Sequence, residues 1–184
     1  MSGAKDTADV PAKAPSAVDE FWQGVRDELP LMFGVIPFGL VFGVIGIESG
    51  LTIVQTILMS SILFGGASQV VFAQLWAAGV PAPIVGSSVC VINIRHVLYS
   101  ASIASYLKHL SLGWRFLLAY LLTDEAYAVS IRRFTNGYPG KFQHFHLLGS
   151  GSLLWASWQA STTAGVVVGE TIPEAWPLTF AIPL

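Results

Sequence analysis

Four side chains in this sequence are out of place in their surroundings. Arg95 and His96 lie in "NIRHVLYSAS" (residues 93–102), and Asp124 and Glu125 lie in "LLTDEAYAVS" (residues 121–130). Both strings sit inside long apolar runs, where ionisable groups are expensive unless something pairs with them or uses them. A guanidinium and a carboxylate can neutralise each other. The same two groups can also bind the carboxylate and the ammonium of a zwitterion. His96, Asp124 and Glu125 are titratable and could carry a proton coupled to transport.

A third string, "FGGASQ" (residues 64–69), offers different chemistry. The paired glycines Gly65 and Gly66 invite a break in a helix. Ser68 and Gln69 could satisfy the backbone groups that a break sets free. Half-helices that start at such breaks point unpaired N–H groups at anionic ligands. The helical stripes around the charged residues add polar surface. On one helix Ser88, Arg95, Tyr99 and Ser102 share a face, with Asn93, His96 and Ser100 beside them. On another, Tyr120, Asp124 and Tyr127 fall at i, i+4 and i+7. The candidate substrate-binding residues are therefore Gly65, Gly66, Ser68, Gln69, Asn93, Arg95, Tyr99, Asp124 and Tyr127. The candidate proton-coupling residues are His96, Asp124 and Glu125. The plainer alternative is a polar network that only locks the helices together.

The elements that must hold these residues are membrane segments. Of 184 residues 53% are hydrophobic and 11% charged, against roughly 25% charged in soluble domains. The mean hydropathy is +0.63. Nine of the twenty charged residues lie in the first 28 positions. That stretch, residues 1–28, reads as a disordered tail, with Phe21 and Trp22 beginning an interfacial helix. It has no apolar core before a cleavage site and is not a secretory signal. Residues 29–184 read as an all-α membrane bundle. Its segments are expected at about 29–47, 51–78, 83–106, 114–131 and 146–168, with the start of a sixth near Trp176. This last one reads as cut short at the C-terminus. The single cysteine, Cys90, excludes an internal disulfide and a thiolate cluster. No metal site, cofactor, phosphate-binding loop or nucleic-acid surface is expected.

The second segment is 28 residues long, or about 42 Å as helix, against a hydrocarbon core of about 30 Å. It is expected to be broken, either as a crossing or as a hairpin that enters and leaves by one face. With every segment crossing once, six Lys and Arg fall on the tail's side and two on the other, which puts the N-terminus in the cytoplasm. A hairpin at segment two divides them five to three. On the single-crossing topology Arg95 and Asp124 have matched depths near the midplane, and a short loop joins their helices. They, or Arg95 and Glu125, are expected to pair.

"IPFGLVFG" (36–43), "FGGASQVVF" (64–72), "NIRHVLYSAS" and "LLTDEAYAVS" together resemble the AzlC family of branched-chain amino-acid exporter large subunits, in the family's order and at about its spacing. Gly65 stands where members commonly have Ala. The resemblance implies a multi-pass protein of the bacterial cytoplasmic (inner) membrane. It also implies export of valine, leucine or isoleucine on an ion gradient, no enzyme activity, and a small AzlD-type membrane subunit as partner. Two other readings compete with it: a non-transporting assembly subunit, and an intramembrane hydrolase built on a serine and His96.

Overall fold

The computed structural model describes residues 15–136 and 141–171. Every regular element among them is helical. The expected start of a sixth segment at Trp176 lies outside the described residues.

The first helix, α1 (Ala17–Glu28), falls within the stretch read as a disordered tail and contains Phe21 and Trp22, where an interfacial helix was expected to begin. Residues 17–28 are ordered by local chemistry. Ser16 caps the helix and Asp19 returns the bond to the Ser16 backbone, a capping box that satisfies two end donors. Burial does the rest. Gly24 and Phe21 seat against His146 and Gly149, and in each contact backbone meets backbone too closely to admit a Cβ. A short 3-10 turn, Leu29–Leu31, leads into α2 (Met32–Glu48).

Three long helices set the frame: α2, α5 (Ala82–Leu107) and α8 (His144–Thr171). The first and last run side by side in the same direction. Gly39 meets Trp158 and Ser161, Gly43 meets Thr162 and Val166, and Gly169 meets Val44 and Ile47. Small residues every fourth position on both helices allow this approach. The small-residue stripe of α8 thus finds its close neighbour in α2.

Segment two is two helices, α3 (Ile53–Ile62) and α4 (Gly66–Ala77). Helix α3 starts at the Thr171 end, where Thr56 touches Gly46, and descends to mid-height. There Ser60 and Ser61 bond Thr162 and Gln159, each at 3.2 Å. The chain then turns through Leu63–Gly65. Helix α4 starts against Phe38 and Trp158 and climbs back, so that Ala73 packs on Ile45 and Leu51. Segment two is therefore a hairpin that returns to the end it entered from. Of the two alternatives the sequence left open, a broken crossing and a hairpin, the structure has the hairpin.

Segment four was expected as one continuous helix and is also split. Helix α6 (Leu112–Tyr120) starts at the opposite, His144 end, with Trp114 5.3 Å from the His144 ring. It reaches mid-height at Tyr120, whose hydroxyl accepts from Trp155 Nε1 at 2.8 Å. After Leu121–Thr123 the chain reverses. Helix α7 (Asp124–Thr135) runs back until Phe134 stacks on Tyr106 near the end of α5. Between the hairpins α5 runs from the Thr171 end, beside Leu51, to the His144 end, beside Leu147.

The order is thus a long helix followed by a hairpin from the end it reached, then the same unit upside down. This is the arrangement of an inverted-topology repeat. The two turns meet at the centre, where Phe64 and Leu121 share a core with Phe42, Leu154 and Trp158. By length and composition only the stretch Ala17–Glu48 and α5 are able to span a membrane alone among the described residues. The expected five full segments are not reached by that measure: two of them are split, and α8, though 28 residues long, is not apolar enough. Val91, Ile94, Val97 and Leu98 of α5 all face outward.

The described Lys and Arg follow this topology. Arg26, Lys108, Arg115, Arg132, Arg133 and Lys141 belong to elements or connections at the His144 end, and the connections at 49–52 and 78–81 hold none.

Candidate functional site

The reversal of α3 into α4 hinges on Phe64, with φ +28°, the one non-glycine with positive φ among the described residues. The glycines play another part. Gly65 is extended and caps α4, and Gly66 is its first residue. A Cβ on Gly66 would lie 2.7 Å from Phe38 and 2.8 Å from Trp158. A Cβ on Gly65 would lie 2.9 Å from Ser68 Oγ and 3.3 Å from Asn93 Oδ1. The pair is needed for close approach more than for a left-handed turn.

Behind this turn the polar side chains are buried and hydrogen-bonded, with Gln69 Oε1 left without a partner. Ser68 Oγ donates to the Gly65 carbonyl at 2.7 Å. Gln69 Nε2 donates to Ser60 Oγ at 3.1 Å, and Ser60 Oγ donates to Thr162 Oγ1. Ser60, Ser68, Gln69 and Thr162 have no exposure to solvent.

The second turn carries charge. Asp124 is the first residue of α7, and Thr123 before it is extended but makes no side-chain cap. Asp124 and Glu125 in the first turn are favoured there by the positive end of the helix dipole. Arg95, in the middle of α5, places Nη1 2.7 Å from Asp124 Oδ2. Their side chains stay 31% and 38% exposed, so the pair is not sealed off.

Both turns open on one cavity of about 310 Å³. That is the lower end of the range of small-molecule pockets, about 300–1,000 Å³. Gly65, Gly66 and Ala67 line it from the first hairpin, and Thr123, Asp124 and Glu125 from the second. Arg95 and His96 come from α5, and Phe38, Leu154 and Trp158 form an apolar wall. The N-termini of α4 and α7 thus both reach this space. The Arg95–Asp124 pair, a second carboxylate at Glu125 and two helix N-termini share one space.

Of the residues singled out from sequence, Gly65, Gly66, Arg95, His96, Asp124 and Glu125 line the cavity. Ser68 and Gln69 lie behind its wall, and Asn93 stands beside Gly65. Tyr99 and Tyr127 do not line it. They stack on each other with centroids 4.4 Å apart, and Tyr127 hydrogen-bonds Ser102 at 2.9 Å. The stripe of Tyr120, Asp124 and Tyr127 assumed a continuous helix, and the break at Leu121–Thr123 dissolves it.

One carboxyl near this region was missed. Glu28, at the end of α1, has no exposure to solvent, and neither oxygen has a hydrogen-bond partner. The sequence placed it in the tail, and a lone acid at a segment's start gives no sign of burial. Beside it Asp27 Oδ2 lies 3.0 Å from His146 Nε2, and Glu20 pairs with Arg133 at 2.5 Å.

Comparison with known proteins agrees with this architecture at the level of family. The family described as AzlC protein matches residues 30–172. The Escherichia coli (strain K12) protein named inner membrane protein YgaZ is 29% identical over 168 residues, covering 91% of this chain and 68% of the relative. An uncharacterized membrane protein of Archaeoglobus fulgidus is 32% identical over 152 residues, covering 83% of this chain and 64% of the relative. One of Helicobacter pylori is 28% identical over 115 residues, covering 60% and 50%. The chain thus spans about two-thirds of the first two relatives and half of the third. No solved structure matches it.

Proposed function

From the premise that this membrane protein belongs to the AzlC family, we propose that it is a subunit of a secondary transporter that exports branched-chain amino acids. The observation that carries the reading is the cavity where the two hairpin turns meet, because its chemistry complements a small apolar zwitterion. The carboxylate of such a molecule is received by Arg95 and the free N–H groups of Gly66 and Ala67. Its ammonium faces Asp124 and Glu125. Its side chain lies on Phe38, Leu154 and Trp158. Substrate sites at the meeting point of inverted repeats, formed by discontinuous helices, are a recurrent solution in secondary transporters.

The distribution of Lys and Arg supports a cytoplasmic His144 end, and with it a cytoplasmic N-terminal side. The earlier count of six against two took both split segments as crossings. With both as hairpins, the described cations outside the cavity gather at one end. A small AzlD-type subunit is the expected partner, with its docking surface on the outward apolar faces.

The test is exchange in liposomes. The purified protein, with and without its partner, is loaded with leucine and assayed for uptake of labelled leucine. Exchange that disappears in Arg95→Ala supports the reading. Wild-type protein that exchanges no leucine, valine or isoleucine in either arrangement overturns it.

A further inference from the structure

We propose that Glu28 and Glu125 form a proton-binding pair beside the cavity, with the proton on Glu28, and that binding of a ligand's ammonium group is exchanged for that proton. The inference rests on the transport reading above and deepens it by naming the coupling device.

Three observations carry it. Glu28 is fully buried, with both oxygens unpartnered. Glu28 ends α1 and Glu125 starts α7, two helices that pack against each other, so a second carboxyl stands on the neighbouring element. Leu31, one turn beyond Glu28 on the same helical face, lines the cavity together with Glu125. The pair therefore sits where a ligand's charge would be felt.

The other charges around Glu28 are already engaged elsewhere or remote from it. On its own helix Asp27 holds His146 of α8, and Glu20 holds Arg133 of α7. His144 of α8 packs against Trp114 and His109, and Arg132 of α7 faces the separate cavity beside Arg26. None of them gives Glu28 a hydrogen bond. Arg95 is spent on Asp124. Ionising Glu28 and Glu125 together would leave two carboxylates without a cation of their own in one apolar region. Such pairs keep a proton.

The exchange conserves charge at the Glu28–Glu125 pair. Before binding, Arg95 cancels Asp124, and Glu28 and Glu125 together hold one proton, a net charge of about minus one. An entering ammonium lies beside Glu125, and its charge is felt at Glu28 behind the cavity wall. The Glu28 O–H bond then breaks, the electron pair stays on the carboxylate, and the proton leaves to water. The added positive charge equals the one lost. The ligand's own carboxylate is met separately, by Arg95 and the α4 N-terminus. Outward movement of the ligand is thereby tied to inward return of a proton.

Two readouts test this on the purified protein in membranes. In infrared spectra at neutral pH a protonated carboxyl gives its own C=O band. The band is expected in the wild type, lost in Glu28→Gln and kept in Glu125→Gln. Glu28→Asp, one methylene shorter, should move it, which serves if Glu28→Gln folds poorly. In liposomes Glu28→Gln is expected to keep leucine counterflow, which needs no net proton movement, and to lose accumulation driven by a pH gradient. A band that neither Glu28 variant alters, or pH-driven accumulation retained in Glu28→Gln, overturns the proposal. If the wild type carries no leucine at all, the transport reading fails, and the infrared result still decides the proton pair.

Discussion

The two hairpin turns use the same backbone device with opposite chemistry. The first, between α3 and α4, is closed by neutral groups without solvent exposure: Ser68 on the Gly65 carbonyl, and Gln69, Ser60 and Thr162 in a chain. The second, between α6 and α7, is held by the Arg95–Asp124 ion pair, about a third exposed to the cavity. A buried neutral network has its partners fixed and gains nothing by rearranging. An ion pair at the edge of a cavity can trade partners with a ligand that brings both signs of charge. The difference suggests a division of labour, with the first turn as the fixed wall and the second as the responsive one.

The sharpest way to break this comparison is at the ion pair. Arg95→Ala is expected to abolish exchange and to lower stability in detergent. The loss should fall between the about 1 kcal/mol of an exposed pair and the about 3–5 kcal/mol of a buried one. Asp124→Asn on top of it should recover part of the stability and none of the exchange. Thermal unfolding of the two single variants and the double variant closes the cycle, and strict additivity would contradict the pairing.

Gly66→Leu comes next. Its side chain has no room between Phe38 and Trp158, so overpacking of about 1–3 kcal/mol is expected, with loss of exchange. Gly65→Ala, facing the movable Ser68 and Asn93 side chains, should be milder. Equal effects would show that φ freedom and not close approach governs the turn.

In the neutral network, Gln69→Leu leaves Ser60 short of a donor and should cost about 1–3 kcal/mol, as for any orphaned buried polar group. Exchange by the surviving protein should be near normal. A Gln69→Leu protein that is stable but inactive would erase the distinction between wall and responder.

The smallest contrast lies at the helix starts. Thr52 caps α3 through a reciprocal box with Gln55, at 3.2 and 2.8 Å. Thr52→Ala should cost about 1 kcal/mol. Thr123→Ala, which removes a hydroxyl that caps nothing, should cost under about 0.5 kcal/mol. The same thermal scans read both.

The first turn was legible in the sequence and the second was not, for a physical reason. Gly65–Gly66 announces a break because glycine is a poor helix former, and an overlong segment demanded one. The backbone nevertheless reverses at Phe64, which tertiary packing forces to positive φ. "LLTDEAYAVS" contains neither Gly nor Pro, and its apolar periodicity runs on unbroken. Only Thr123 followed by two acids carries the signature of a helix start. Reading it as one helix kept Tyr127 on the face of Asp124. The Arg95–Asp124 pair survived this error because mid-membrane charge must find a partner on either topology. Glu28 escaped notice because composition cannot tell a solvated tail from an amphipathic helix with a capping box.

The ion pair has one more consequence, which concerns voltage. Moving a lone elementary charge through a membrane costs about 2.3 kcal/mol for each 100 mV. Arg95 and Asp124, 2.7 Å apart, are drawn by the field in opposite directions. A joint shift of α5 and α7 that carries both along therefore does almost no electrical work. Any voltage sensitivity in the cycle must then come from charges that travel without a partner.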